Sequence, residues 1–376
     1  MSRSLVVGVD AGATSTRCVV ATLDGIVLGR GAAGGANRNS SGGDAAEPIA
    51  AALTAALSGV DTSAVRVGVL GAAGSAGVGR AAFRAAATRA WSRCGAGGEV
   101  VTVTDLEVAF AAGTAGADGV LLLSGTGALA ARFAGGVIER RCDGYGWLLG
   151  DEGSAVWIGV RALRAVLAAL DGRGEPTALT DAVAERLGAG LPGPLSRARR
   201  EELAQALVAA GFARPPAELG RLAPAVSAAS DAGDPVARRI TDAAAAKLLH
   251  TYDTVAPPPD VVALPPGVVA LPPGVVALPP GVVALPPGVV APPGGVVGAL
   301  VGVVVLAGSV LLTPGPVARA VRAGVLARTG AEPREAADGA AGAAALALAR
   351  LTGGPVPAAV HARLTRRAPA HDPRRE

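Results

Sequence analysis

The sequence predicts a two-domain α/β protein, and three observations support this prediction. The chain has 376 residues, whereas a single hydrophobic core stops growing at roughly 250–300 residues. A strand, a tight turn rich in Gly, Ser and Thr, and a second strand occur twice, at residues 5–23 and 120–133. Between the two copies, β-branched runs alternate with helical patterns, as they do when helices cover a sheet.

The first copy joins the runs Leu5–Asp10 and Arg17–Leu23. Its turn, Ala-Gly-Ala-Thr-Ser-Thr, presents backbone N–H groups and small hydroxyls beside the carboxylate of Asp10. Such a turn can receive phosphate oxygens, and Asp10 can hold a magnesium ion through water. An ordinary β-hairpin explains the same residues, so the first copy alone does not assign a function.

An acidic residue follows the last strand before the second copy. Helices are predicted at 44–57 and 79–94, and strands at 65–70 and 100–103. The last of these strands runs into Thr104-Asp105, and open α/β sheets bind ligands at the carboxyl ends of their strands. Asp105 is therefore a candidate site residue, although an N-cap of the following helix explains it as well.

The second copy consists of the apolar run Val120–Leu123, the turn Ser124–Ala128 and the returning run Leu129–Phe133. Two turns that could each bind phosphate, separated in the sequence by an acidic residue at a strand end, favour a nucleotide site more strongly than a lone Gly-x-Gly motif does. The second turn therefore raises the significance of the first.

Residues 144–154, Gly-Tyr-Gly-Trp-Leu-Leu-Gly-Asp-Glu-Gly-Ser, place two adjacent acids, Asp151 and Glu152, between glycines. Glycine-rich backbone permits close approach, and acids held at such a point usually contact a ligand. A tight turn with two solvated acids is the alternative interpretation. Ser154 is predicted to cap the helix 154–170 that follows.

The remaining chain is predicted to be mainly helical, at 181–187, 200–212, 223–254, 316–329 and 335–351, with a strand at 303–306. Residues 263–290 repeat Ala-Leu-Pro-Pro-Gly-Val-Val. Since these prolines oppose helix and sheet alike, we interpret the repeat as an expanded loop without its own function; an interaction arm is the alternative. The apolar stretch 295–312 approaches the ~20 residues of a membrane span, but its glycines and lack of basic flanks favour a buried parallel strand.

Composition argues against several classes of function. A net charge of +4 with 2% aromatic residues does not indicate a nucleic-acid-binding surface. Three isolated cysteines argue against a disulfide framework or a zinc site and favour the cytoplasm. The single lysine, Lys247, stands in an alanine-rich helical run, so there is no P-loop and no protein-kinase lysine. Backbone N–H groups, hydroxyls and magnesium would have to neutralise a polyphosphate.

These motifs together resemble the superfamily of sugar kinases, heat-shock protein 70 and actin, and more narrowly the N-acetylglucosamine kinase branch of the BadF/BadG/BcrA/BcrD ATPase family. Residues 10–17 and 123–128 are similar to its two phosphate motifs, and 307–310, Ala-Gly-Ser-Val, to its adenosine motif. Residues 144–157 closely resemble the amino-sugar kinase signature, with Tyr145 where the family often has Trp. The resemblance covers nearly the whole chain except the repeat and the tail.

The resemblance implies two ribonuclease-H-like domains of the actin ATPase type around a central cleft. The N-terminal domain would span 1–117 and be completed by the C-terminal helix 335–352. The C-terminal domain would span 118–334 and carry the proline-rich insert at 257–295, and 353–376 would be a frayed basic tail.

The same resemblance implies that ATP and Mg²⁺ are used to phosphorylate the 6-hydroxyl of N-acetylglucosamine. Asp105 would be the general base, and Asp10 would hold the metal through water. The residues implied to contact the sugar are Asn37, Gly127, Trp147, Asp151 and Glu152. Those implied to contact the nucleotide are Gly12, Thr14, Thr16, Gly125, Thr126, Gly308 and Ser309.

Several alternatives stay open at this point. Glucosamine could replace N-acetylglucosamine, and two other functions compete: an activator ATPase and a sugar-binding regulator. The activator branch needs closely placed cysteines for an iron–sulfur cluster, and a regulator would not need Asp105. Glu107 is either a second acid at the site or points away, and Glu152 either binds sugar or holds its loop. We expect a small-molecule partner, no nucleic acid and no membrane, and leave a homodimer open.

Overall fold

The computed structural model describes residues 4–12, 15–36, 44–72, 75, 79–190, 196–256, 303–336 and 338–366. Two five-stranded sheets form within them. The first contains β1 (Leu5–Ala11), β2 (Ser15–Thr22), β3 (Val27–Gly34), β4 (Val65–Ala72) and β5 (Glu99–Thr104). The second contains β6 (Gly119–Ser124), β7 (Ala128–Ala134), β8 (Val137–Asp143), β9 (Val303–Ala307) and β10 (Arg334–Glu335).

The two sheets have the same plan. Their strand orders are β3-β2-β1-β4-β5 and β8-β7-β6-β9-β10. In each sheet, the three strands that come first in the sequence form two antiparallel pairs of neighbours. The fourth strand pairs parallel to the first, and the fifth pairs parallel to the fourth. The two strand–turn–strand copies in the sequence are therefore β1–β2 and β6–β7, and the prediction of an α/β protein is confirmed.

Twelve α-helices are present in the described ranges. They are α1 (Ala46–Leu57), α2 (Arg80–Arg93), α3 (Asp105–Gly113), α4 (Ala155–Asp171), α5 (Leu179–Leu187), α6 (Arg197–Phe212), α7 (Ala223–Asp231), α8 (Pro235–Val255), α9 (Ser309–Leu312), α10 (Pro316–Thr329), α11 (Gly339–Thr352) and α12 (Ala358–Leu364). Short 3-10 turns cover Thr62–Ala64 and Pro216–Leu222.

The single helix predicted at 223–254 is wrong, because the structure divides it into α7 and α8. Gly233 has a left-handed backbone with φ of 95°, which ends α7. Asp234 then caps α8 by accepting a hydrogen bond from the N–H of Ala237 at 2.8 Å, and Pro235 occupies the first turn, where a missing N–H costs nothing.

The segment after Gly353 is also more ordered than the predicted frayed tail, since it forms α12. The side chain of Leu364 is fully buried, and the Nε2 atom of His361 lies 2.7 Å from the carbonyl oxygen of Ala111 in α3. Pro357 stands immediately before the helix, where proline is compatible with helix initiation. Residues 367–376 lie outside the described ranges.

Helix α3 packs between the two sheets. Leu106 and Phe110 join the apolar cluster of the second sheet, and the ring of Phe110 stacks on that of Phe133 with centroids 4.2 Å apart. On another face, Val108 joins the cluster formed by the first sheet and α11. The first residue of this shared helix is Asp105, so the fold holds that carboxylate between the two halves of the molecule.

Helix α11 lies close against β1 and α3 because its residues are small. A side chain on Gly8 would begin 2.1 Å from the backbone nitrogen of Ala344, and one on Gly342 would begin 2.3 Å from the carbonyl oxygen of Val108. Glycine at these positions permits backbone-to-backbone packing. Helix α11 therefore contributes to the core of the first sheet.

The apolar stretch before Leu312 contains a buried strand where the structure describes it. Val304 and Leu306 of β9 belong to the core of the second sheet, in agreement with the predicted parallel strand. Across the described ranges, no helix has both the length and the apolar character that crossing a bilayer requires. The proline-rich insert at 257–295 lies outside those ranges.

Candidate active site

One carboxylate of the site is that of Asp10, near the end of β1. The position of an ideal Cβ on Gly339, the first residue of α11, is 2.2 Å from Oδ2 of Asp10. Burial, together with the charges of Asp105 and Asp338 and against that of Arg17, raises the pKa of Asp10 to about 6. Two further acids therefore act on Asp10 at this end of the first sheet.

Asp105 is the first residue of α3 and does not cap it. The cap is Thr104, whose hydroxyl accepts from the N–H of Glu107 at 3.3 Å, so the alternative interpretation of Asp105 as an N-cap is wrong. Burial raises the pKa of Asp105, while its own N–H, the N–H of Leu106 and the charge of Arg141 lower it. The carboxylate is thus left available for a ligand.

Glu107 completes the cap instead of serving as a second acid. Its Oε2 accepts hydrogen bonds from the N–H of Thr104 at 2.8 Å and from the hydroxyl of Thr104 at 2.7 Å. This reciprocal arrangement is a capping box, which satisfies N–H groups at the helix start. Of the two alternatives for Glu107, the structure supports the one in which it points away from the ligand.

The turn of the first strand pair is only partly described, since Thr14 lies outside the described residues. Asn37, which follows β3 in the sequence, lies outside them as well. The N–H of Gly12 donates to the carbonyl of Ser15 at 2.9 Å and closes the turn. Thr16 differs from its predicted nucleotide role: its side chain is fully buried, and its hydroxyl donates to the carbonyl of Gly34 at 2.9 Å. The reason is strand alternation, which turns Thr16 to the same face as buried Cys18.

The turn of the second strand pair meets the turn that follows β9. The N–H of Gly125 donates to the carbonyl of Gly127 at 2.9 Å, and Thr126 is exposed between them. A side chain on Gly308 would begin 2.3 Å from the carbonyl oxygen of Ser124, and the next residue, Ser309, is exposed. The second phosphate motif and the adenosine motif are therefore neighbours.

The amino-sugar signature folds back onto the second turn. Asp151 is buried, and its Oδ2 lies 3.0 Å from the position of an ideal Cβ on Gly127. Burial raises the pKa of Asp151, whereas the N–H groups of Ala128 and Gly146 lower it. The hydroxyl of Ser124 donates to the carbonyl of Gly153 at 2.9 Å, which ties this loop to the turn from the other side.

The other two predicted sugar residues have different surroundings. Trp147 is 48% exposed and, with Glu152, Trp157 and Arg161, lines a groove of about 250 Å³. Glu152 forms an ion pair with Lys247, with Nζ and Oε2 3.0 Å apart. This ion pair connects the loop that contains Glu152 to α8.

Two residues that the motif analysis missed organise the site. Asp143, at the end of β8, accepts hydrogen bonds from three backbone N–H groups of the loop that follows it. Arg141 donates to the carbonyls of Asp143 at 3.2 Å and Gly144 at 2.7 Å. The positive charge of Arg141 also lowers the pKa of both Asp105 and Asp151, against the burial that raises each.

The acids are suited to a magnesium ion that nucleotide phosphates help to hold. Across the described ranges, no group of three His, Cys, Asp or Glu side chains is close enough to enclose a metal. Magnesium retains several waters and needs only one or two carboxylates when phosphates complete its shell. Asp10, whose ionised form is disfavoured by burial and by two neighbouring acids, would be stabilised by a divalent cation there.

Comparison with known proteins gives relatives in both sequence and structure. An N-acetylmuramic acid/N-acetylglucosamine kinase of Clostridium acetobutylicum is 28% identical over 250 residues, which are 66% of this chain and 78% of the relative. An N-acetyl-D-glucosamine kinase of Dictyostelium discoideum is 31% identical over 198 residues, which are 50% of this chain and 61% of that protein.

Two solved structures share the fold. A crystal structure from Chromobacterium violaceum, of a protein assigned as an N-acetylglucosamine kinase, aligns with a TM-score of 0.62 at 24% identity over 93% of this chain and 100% of its own. A similarly assigned structure from Porphyromonas gingivalis gives 0.50 at 18% identity, over 88% and 93%. These similarities confirm the predicted fold class.

The sequence model of one family matches residues 7–256. The match therefore includes both strand–turn–strand copies, Asp105 and the whole of the amino-sugar signature. The chain belongs to the BadF/BadG/BcrA/BcrD ATPase family.

Proposed function

We propose that this chain is an ATP-dependent amino-sugar kinase that phosphorylates the 6-hydroxyl of N-acetylglucosamine. The observation that carries the proposal is the pair Asp105 and Asp151, one on the helix between the sheets and one beside the second turn, both within the field of Arg141. The two curated relatives, both N-acetylglucosamine kinases by name, support the substrate.

Asp105 acts in this proposal as the general base. Its carboxylate does not cap α3, and it would accept the proton from the sugar hydroxyl as that oxygen attacks the terminal phosphoryl group. Phosphoryl transfer depends mainly on positioning and on charge stabilisation. A carboxylate on a helix packed against both sheets meets the demand for a fixed position.

The two turns and the Gly308 region hold the nucleotide. Thr126 offers its hydroxyl to the phosphates, while Gly12 and Gly125, whose own N–H groups close the two turns, let the backbone approach the phosphates closely. Gly308 and Ser309 lie beside the second turn, where the adenosine would extend. Thr14 is kept as a phosphate contact on the resemblance alone, while Thr16 supports the first turn from within the core. Magnesium held near Asp10 would neutralise charge on the phosphates.

The sugar is held by the loop that contains Asp151. Its carboxylate would accept hydrogen bonds from sugar hydroxyls next to Gly127, whose missing side chain leaves room for the carboxylate itself. Trp147 would supply an apolar wall, and Asn37 an amide contact by the resemblance. Glu152 would act indirectly, through its ion pair with Lys247.

A coupled assay of ADP release tests the proposal. We expect turnover with N-acetylglucosamine and much less with glucosamine, N-acetylmannosamine or glucose. N-acetylmuramic acid belongs in the same panel because one relative is named for both sugars. A preference for glucosamine would replace the substrate but keep the reaction, whereas ADP release independent of every sugar would favour the activator ATPase.

A further inference from the structure

We propose that Asp143 is a positioning residue, whose buried carboxylate folds residues 144–152 into the conformation in which Asp151 faces the substrate. The inference rests on the proposed function, in which Asp151 binds the sugar. It adds a residue that none of the motifs includes, because Asp143 lies one position before the amino-sugar signature begins.

The hydrogen bonds of Asp143 provide the first support. Its Oδ1 accepts from the N–H groups of Gly144 and Asp151, both at 2.7 Å, and its Oδ2 accepts from that of Glu152 at 2.8 Å. Bonds from N–H groups to a carboxylate are stronger than neutral ones. One side chain therefore joins the start of the loop to its end, since Asp151 and Glu152 are eight and nine residues after Asp143.

Backbone strain provides the second support. Among the described residues, Asp143 and Asp151 are the two non-glycine residues with positive φ, at 64° and 55°. Such a conformation is uncommon for a residue with a side chain and persists only where the surroundings enforce it. Here the two strained residues are bonded directly to each other, so the carboxylate of Asp143 stabilises the backbone conformation of Asp151.

Gly150 provides the third support. A side chain there would begin 2.2 Å from Oδ1 of Asp143, and Gly150 does not have the left-handed backbone of its neighbours Gly144 and Gly146. Position 150 therefore requires glycine because a side chain would collide with the carboxylate of Asp143, and not because its φ is positive. Substitution at Gly150 therefore perturbs the same contact without removing Asp143.

The test compares Asp143→Asn, Gly150→Ala and the double variant with the wild type. An asparagine amide would place an NH₂ group against a backbone N–H of the loop, so at least one of the three hydrogen bonds is lost. We expect the KM for sugar to rise by about tenfold or more in each single variant, with the KM for ATP unchanged. Because both changes act on one contact, the double variant should be no worse than the poorer single variant.

Asp118→Asn is the matched control. Asp118, which precedes β6, also accepts a hydrogen bond from a backbone N–H, that of Gly135 at 2.8 Å. Gly135 lies in the β7–β8 turn, outside the loop 144–152. This variant should keep both KM values. A sugar KM within twofold of the wild type in Asp143→Asn, or equal increases in the KM values for sugar and ATP, would overturn the proposal.

Amide hydrogen exchange separates this inference from the proposed function. In Asp143→Asn, the amides of Gly144, Asp151 and Glu152 should lose protection while those of β6 and β7 keep theirs. Unchanged exchange at these amides would show that Asp143 does not hold the loop, whatever the substrate. Wild-type protein that binds and phosphorylates no sugar would instead overturn the proposed function and, with it, the sugar-positioning role, even if exchange showed that Asp143 holds the loop.

Discussion

The carboxylate of Asp10 occupies the space in which a side chain on Gly339 would begin, with Oδ2 2.2 Å from the ideal Cβ position. The first turn of α11 and the end of β1 therefore fit together only with glycine at 339. Gly339→Ala should push the carboxylate away and reduce kcat by about tenfold or more, while sugar affinity, measured by calorimetry, should stay near the wild-type value.

Gly354→Ala is a suitable comparison for this variant. Gly354 lies just beyond the other end of α11, but nothing lies within 4 Å of its ideal Cβ and its φ is not positive. Its kcat should match the wild type. If both alanine variants lose activity equally, the contact between Asp10 and Gly339 is not the cause.

Asp10 should also make the stability of the ligand-free protein depend on pH. Burial raises its pKa from 3.8 to about 6, so the folded state binds this proton more tightly than the unfolded chain does. The free energy of unfolding should therefore fall as the pH rises from about 4 to about 6, by about 3 kcal/mol from this group. The side chain in Asp10→Asn cannot titrate. The Tm of this variant minus the Tm of the wild type should therefore be larger at pH 7.5 than at pH 4.5. The same Tm difference at both pH values would contradict this expectation.

Much of the fold could be predicted because it depends on local patterns. Runs of β-branched and other apolar residues indicated the strands. Ser154 was recognisable as a helix cap, which the structure confirms with a hydrogen bond from the N–H of Trp157 at 3.1 Å. Asp105 was found by its place after a strand. The direction of Thr16 was also accessible, because it stands two positions before the apolar Cys18 on the same face of β2.

The features that sequence patterns missed depend on contacts between distant residues. The role of Asp143 comes from N–H groups up to nine positions away, in a loop whose course no periodicity determines. Helix α12 is stabilised by the contact of His361 with Ala111, which is 250 residues earlier. Propensity alone did not predict a helix in a segment rich in proline and arginine.

Gly308 should be required by the second turn. Its φ of 87° and the 2.3 Å separation between its ideal Cβ and the carbonyl oxygen of Ser124 both oppose a side chain. Gly308→Ala should raise the KM for ATP by about tenfold or more, since it displaces the turn that carries Thr126. Sugar affinity should change little.

Gly330→Ala separates the two causes. Gly330 has a similar φ of 70°, but nothing lies within 4 Å of its ideal Cβ. Alanine there carries only the cost of the left-handed backbone, about 1 kcal/mol of stability, and should leave the KM for ATP unchanged. Equal KM values for ATP in the two variants would show that the contact between Gly308 and Ser124 does not determine ATP binding.

The ion pair between Glu152 and Lys247 distinguishes the two roles considered for Glu152. Both side chains are partly exposed, at 39% and 44%, so losing the pair should cost at most about 1 kcal/mol of stability. If Glu152 only holds the loop, Glu152→Gln and Lys247→Met should raise the KM for sugar by the same small factor. Combining them should then add nothing, because each variant already breaks the pair. A much larger rise in Glu152→Gln than in Lys247→Met would show that the carboxylate contacts the sugar itself.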